Sequence, residues 1–182
     1  MSKRRPPSQA SETAEHPNAR HGEQSIQLRE HQPGDIGWVV SRHGTLYAQE
    51  FGWDISFEAM VARIGADFID KFKPGMERAW IAELDGERVG AIFIVRKSRT
   101  TAKLRMLLIE PKARGLGLGK RLVAEAVAFS RAAGYRKITL WTHDILLAAR
   151  GIYERAGFRL VSSEPNKAFG KQLNTEVWEL RL

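Results

Sequence analysis

The chain has no cysteine among its 182 residues. That excludes disulfides, thiolate nucleophiles and cysteine-based zinc or iron–sulfur sites. It has no run of ~18 apolar residues, which excludes a membrane-spanning helix. The longest apolar run, Val89 to Val95, has the length of a strand. The basic start, Met1 to Pro7, has no apolar stretch behind it and does not read as a secretory signal, so a cytoplasmic location is expected. The five histidines, His16, His21, His31, His43 and His143, lack metal-ligand spacing, and no metal is expected. What is present is ordinary for a globular domain: 43% hydrophobic and 27% charged residues.

Positive charge is in excess, with 29 Lys and Arg against 21 Asp and Glu, a net charge of +8. A basic balance of that size suggests a nucleic-acid binder. Its distribution does not. Arg96, Lys97, Arg99, Lys103, Arg105, Lys112, Arg114, Lys120 and Arg121 face a single acid, Glu110, in one window, and the rest of the chain is balanced. The surplus therefore reads as a local anion site, and no nucleic-acid or membrane partner is expected.

Residues 1–24 are polar, contain Pro6, Pro7 and Pro17, and show no helical or strand period, so they read as a disordered tail. Residues 25–182 read as one domain. Ile26 to Glu30 alternates as a short strand, and Pro33-Gly34-Asp35 opens a helix to about Gln49. Phe57, Val61, Ile64, Phe68 and Phe72 recur at helical spacing behind the candidate caps Asp54 and Ser56. Strands at Arg78–Leu84 and Arg88–Arg96 flank Asp85-Gly86, a type I′ hairpin signal. A strand over Lys103–Ile109 is followed by a glycine cluster and a helix from about Leu118 to Ala133. A strand at Lys137–Trp141, a helix from about Asp144 to Ala156, and strands near Arg159–Ser163 and Glu176–Leu182 close the chain. The first strands should pair antiparallel, and the strand–helix–strand unit over 103–141 should be parallel.

The glycine cluster joins a strand to a helix. Its spacing, Gly115-Leu116-Gly117-Leu118-Gly119, opens backbone N–H groups to an anion, and the helix N-terminus favours a phosphate. Arg114, Lys120 and Arg121 add charge. The dinucleotide fingerprint fails because its third glycine would fall at Lys120, and the P-loop pattern fails at Arg114 and Arg121.

The spacing Arg114-x-x-Gly117-x-Gly119 after a strand ending at Pro111, together with Ile152-Tyr153-Glu154-Arg155-Ala156-Gly157-Phe158, resembles the GCN5-related N-acetyltransferase superfamily from about residue 26 onward. The resemblance implies an α/β (α+β) fold, a mixed central sheet of about six to seven strands with helices on both faces. It implies acetyl-CoA as co-substrate. Leu107, Leu108 and Ile109 would offer backbone groups to pantetheine and acetyl, and Arg114, Gly115, Leu116, Gly117, Leu118, Gly119 and Lys120 would hold the pyrophosphate. Tyr153 would protonate the departing thiolate as general acid. Where relatives often carry an asparagine on this helix, the chain has Leu146. No general base stands out; Glu110, His143 and Asp144 lie near the strand ends, and Glu110 is the candidate carried forward. Tyr47, Glu50 and Trp53 are candidate acceptor residues, with aromatics and acids, Asp54 included, suited to a cationic amine. The phrases GDIGWVVSRHGTLYAQEFGWD and ARGLGLGKRLV resemble most closely the acetyltransferase domains fused to MarR-type regulators. The 24-residue leader is too short for a winged helix, so DNA binding is not carried over.

These implications point to transfer of acetyl from acetyl-CoA to a primary amine, of a small molecule or a protein, by direct attack in a ternary complex. A non-catalytic acetyl-CoA-sensing domain is the alternative, and a homodimer is a candidate state. The basic window predicts salt-sensitive acetyl-CoA affinity.

Overall fold

The computed structural model describes residues 26–182. The tail expected over 1–24 lies outside the described residues. The element order is β1 (Ile26–Glu30), α1 (Asp35–Phe51), α2 (Ile55–Asp70), β2 (Arg78–Leu84), β3 (Glu87–Arg96), β4 (Thr101–Ile109), a 3-10 turn (Pro111–Ala113), α3 (Leu118–Ala132), β5 (Lys137–His143), α4 (Leu147–Arg155), β6 (Arg159–Ala168) and β7 (Lys171–Arg181). The seven strands form one sheet in the order β1-β2-β3-β4-β5-β7-β6. β1 to β4 are an antiparallel meander, β4 and β5 are parallel, and β7 pairs antiparallel with both β5 and β6.

The sheet is covered on both faces, and the period of two sorts its residues between them. On one face Trp80, Ala82, Ile92, Ile94 and Leu104 pack with Leu118, Leu122 and Ala126 of α3. On the other Ala79, Ile81, Ala91 and Phe93 pack with Val39 of α1 and Phe57, Val61 and Phe68 of α2. A strand buried on both faces has no polar position to alternate with, which is why Val89 to Val95 is a continuous apolar run. Each of these large side chains contributes about 1.5–3 kcal/mol when fully buried.

Local chemistry sets the element ends. Asp54 caps α2 by accepting from the Ser56 N–H at 2.9 Å. Asp85 and Gly86 both take positive φ, as a type I′ hairpin requires. Two segments differ from the sequence expectation. β6 and β7 are longer than expected and meet at a tight turn, where Phe169 and Gly170 both have positive φ. β6 is an edge strand that tolerates Pro165 and is exposed along most of its length, so it carries no hydrophobic alternation. α4 starts at Leu147 rather than Asp144. Asp144 instead accepts from the backbone N–H of Asn174 at 3.0 Å and from its side-chain amide at 2.8 Å.

Candidate active site

The site is made by a failure of two neighbouring strands to stay together. β4 and β5 pair only at Thr101–Lys137, Ala102–Ile138 and Lys103–Thr139. Beyond that rung they part, and the rest of β4 faces β5 with unpaired backbone. β4 also changes face at this point. Met106 has a φ of 57°, and the β3–β4 register slips between Ala91 and Phe93. The extra residue turns the chain over: Leu104 packs on the α3 side, and Met106 packs on the α2 side.

Two cavities occupy the opening. One, of about 550 Å³, runs from Leu107, Leu108 and Ile109 to the glycine loop. The other, of about 370 Å³, lies toward α2 and the end of β5. Tyr47, Leu107, Leu146 and Ala149 line both, so the two meet there.

The glycine loop forms the end wall of the larger cavity. Arg114, Gly115, Gly117, Leu118, Gly119 and Lys120 line it, as does Arg155 of α4. Leu116 is not on that wall and is 53% exposed. Gly117 takes φ 75° as the residue before α3, and the first helical bond runs from the Arg121 N–H to its carbonyl. The N–H groups ahead of Arg121 thus have no partner within the helix. Gly119 has a different task. A Cβ there would lie 2.5 Å from the Ile152 Cδ1 and 2.8 Å from the Ile109 Cδ1, so it lets α3 approach α4 and β4. Only glycine fits.

The basic window divides. Lys112 pairs with Glu87, Arg121 donates to the Ile26 carbonyl at 2.6 Å, and Arg114 forks onto Glu50 at 2.7 and 3.2 Å. Lys103 and Arg105 line the smaller cavity instead. Of the nine cations only Arg114 and Lys120 reach the larger one.

Tyr153, 5% exposed, lies on the wall of the smaller cavity. Burial raises its phenol well above the ordinary tyrosine range, with the neighbouring Tyr47 adding to the effect. Tyr47 is pushed up to about 12, first by burial and then by the charge of Glu50. Both phenols therefore keep their protons at neutral pH.

The contacts of three candidates bear on their roles. Glu110 lines neither cavity. It is 8% exposed and held by Arg42, with the Nε donating to Oε1 at 2.5 Å and an Nη to Oε2 at 2.9 Å. A carboxylate held twice by a guanidinium is a structural anchor between α1 and the end of β4, and we do not retain it as the base. Glu50 turns to Arg114 on the cofactor side, and Asp54 is spent as a helix cap, so neither is placed for a cationic amine. Trp53 lines the smaller cavity beside Phe57, with Phe169 packed against both.

His143 gains importance. It is 1% exposed, lines the smaller cavity, and neither ring nitrogen has a hydrogen-bond partner among the described residues. Trp53 and Trp141 present edges to it at 5.2 and 4.9 Å between ring centroids. Burial lowers its pKa, so the ring is neutral near pH 7. The Trp53 indole N–H on the same wall is also buried without a partner. The tip of the β6–β7 hairpin backs this wall: Phe169 packs on Trp53, Phe57 and His143, and its carbonyl accepts from the Asp54 N–H at 3.1 Å. Sequence reading missed that contribution, because only the pair Phe169-Gly170 hinted at a turn.

Comparison with known proteins bears on the family and the fold. An uncharacterized N-acetyltransferase of Schizosaccharomyces pombe is 31% identical over 121 residues, 65% of this chain and 72% of that protein. N-acetylaspartate synthetase of Danio rerio is 32% identical over 90 residues, 49% of this chain. The match is 32% of that protein's length, and the chain spans about a third of several other relatives. A solved acetyltransferase of Salmonella typhimurium with its cofactor acetyl-CoA superposes with a TM-score of 0.68, covering 86% of this chain and 93% of that one. At 15% identity that likeness is one of fold. The family model described as the acetyltransferase (GNAT) family matches residues 41–158, and the chain belongs to that family.

Proposed function

We propose that the chain transfers the acetyl group of acetyl-CoA to a primary amine by direct attack within a ternary complex. The observation that carries this is the pair of cavities meeting where β4 leaves β5. An open strand edge can add an extended arm such as pantetheine by backbone hydrogen bonds. The glycine-loop N–H groups, Lys120 and Arg155 suit its phosphates. Leu146 replaces a polar contact with an apolar wall, which keeps the thioester dry but leaves the arm to the backbone.

Acetyl-CoA supplies the activated thioester. The amine nitrogen attacks its carbonyl carbon, a C–N bond forms and the C–S bond breaks. Tyr153 gives its phenolic proton to the departing sulfur. His143 takes the proton that the amine loses, because it is the neutral, unpartnered acceptor on the acceptor wall. The lone carboxylate on that wall, Asp67, is paired with Lys71 at 2.6 Å. A cytoplasmic setting and a homodimer belong to this reading as well. The unpaired edge of β6, with Leu160 and Val161 exposed, is the surface a second copy would use.

Calorimetric titration with acetyl-CoA, followed by thiol release over an amine panel, tests the proposal. Binding with amine-dependent thiol release is the expected result. No binding at millimolar acetyl-CoA rejects it.

A further inference from the structure

The cavity on the acceptor side has an electrostatic character that acetyl transfer alone does not require. Its end along β4 and α2 is lined by Arg63, Lys103 and Arg105 against one acid, Asp67. Asp67 already serves Lys71. Among the described residues Arg63, Lys103 and Arg105 take part in no ion pair. Lys103 and Arg105 are adjacent positions on one face of β4, so two cations project side by side. Burial pulls both below their ordinary values, and for Lys103 the charges of Arg105 and Lys97 act in the same direction. Asp67 partly offsets the charge of Arg105, but one exposed carboxylate shared with Lys71 does not balance three cations, and a bound anion relieves half-buried positive charge.

The same cavity is lined by Tyr153 and His143. Arg105 lies two residues before Leu107, where the two cavities meet, so the cations and the reacting centre border one space. Met60, Ile64, Phe57 and Trp53 also line it and suit the methylenes of a short carbon chain.

We propose that the acceptor is a small amine that also carries a carboxylate, with its amine directed to Tyr153 and His143 and its carboxylate held by Arg105 and Lys103. The proposal rests on the acetyl-transfer reading above. It replaces the cationic acceptor that the sequence suggested. A guanidinium is the side chain best shaped for a carboxylate, and a second positive charge on the acceptor would meet only repulsion here.

The test is the steady-state thiol-release rate with ω-amino acids of increasing length, set against alkylamines, diamines and aminoalkyl phosphates of the same lengths. The amino acids should lead the alkylamines by about tenfold to a hundredfold in kcat/KM, chiefly through KM, as expected for a charge-assisted pair. Arg105→Gln should cut that preference by about tenfold or more while acetyl-CoA affinity, read by calorimetry, changes little. Lys103→Gln should do the same more weakly and serves if the arginine variant fails to fold. Equal or better turnover of alkylamines or diamines overturns the proposal and leaves acetyl transfer standing. Preference for the phosphates overturns the carboxylate. Acetyl-CoA binding with no thiol release from any series overturns both readings.

Discussion

Lys103 and Thr139 form the last rung between β4 and β5. The two strands part beyond that rung. Below it the strands share hydrogen bonds; above it their separation leaves one backbone edge, two cavities and a junction bordered by Tyr47, Leu107, Leu146 and Ala149. Tyr153 lines the smaller of those cavities.

Tyr153→Phe removes one oxygen and keeps the ring that packs on Phe158. The variant should lose about a hundredfold in kcat, the usual scale of general acid catalysis, with acetyl-CoA affinity unchanged. Pre-steady-state thiol release and calorimetry separate the two quantities. Unchanged turnover rejects the acid role.

His143 leads to a pH prediction. The neutral ring is the form that accepts a proton, and burial holds its pKa below the ordinary 6.5. The acid limb of kcat/KM should therefore fall below that value. His143→Gln should lower kcat and abolish that limb. A limb that survives the substitution assigns the base elsewhere.

Glu110→Gln should affect folding more than catalysis. It weakens the fork from Arg42, a charge-assisted contact whose loss costs about 1–3 kcal/mol. Thermal unfolding should show the drop, and the pH–rate profile of the folded variant should match the parent. A lost limb in that profile would return Glu110 to the role of base.

How much of this was legible in the sequence depended on whether a residue's role was local. Asp85-Gly86, the α3 stripe of Leu118, Leu122 and Ala126, and the glycine loop announce themselves because turn chemistry, helical period and phosphate geometry are properties of neighbours in the chain. Glu110 misled because its partner, Arg42, is 68 residues away. The pairing of Glu50 with Arg114 across the fold was hidden for the same reason. The bulge at Met106 has no glycine to mark it, and the orphaned ring of His143 follows from packing against Trp53, Trp141 and Phe169.

His43 governs stability in acid. Its ring is buried in α1, with Nδ1 2.9 Å from the Val39 carbonyl, and burial lowers its pKa to about 4 from 6.5. The unfolded chain takes up the proton at the ordinary value, the folded chain only near 4. Stability is thus complete above about 6.5 and falls as pH drops toward 4, by up to about 1.4 kcal/mol per pH unit. His43→Phe keeps the stack on Tyr47 and should flatten the decline in Tm over that window.

Salt dependence should be shallower than the net charge of +8 implies. The basic window reads as one patch in sequence, but β4 runs from Thr101 to Ile109, so Lys97 and Arg99 lie roughly 25 Å from the glycine loop. That is more than two Debye lengths at ~0.1 M salt. Arg114 is partly neutralised by Glu50, which leaves Lys120 and Arg155 as the cations of the cofactor cavity with no ion pair among the described residues. Acetyl-CoA affinity should weaken with salt, and Lys120→Gln and Arg155→Gln should each lower the affinity and reduce the salt slope. Arg99→Gln should leave both as they are. An equal loss from Arg99→Gln would show that the whole basic window acts on acetyl-CoA as a single field.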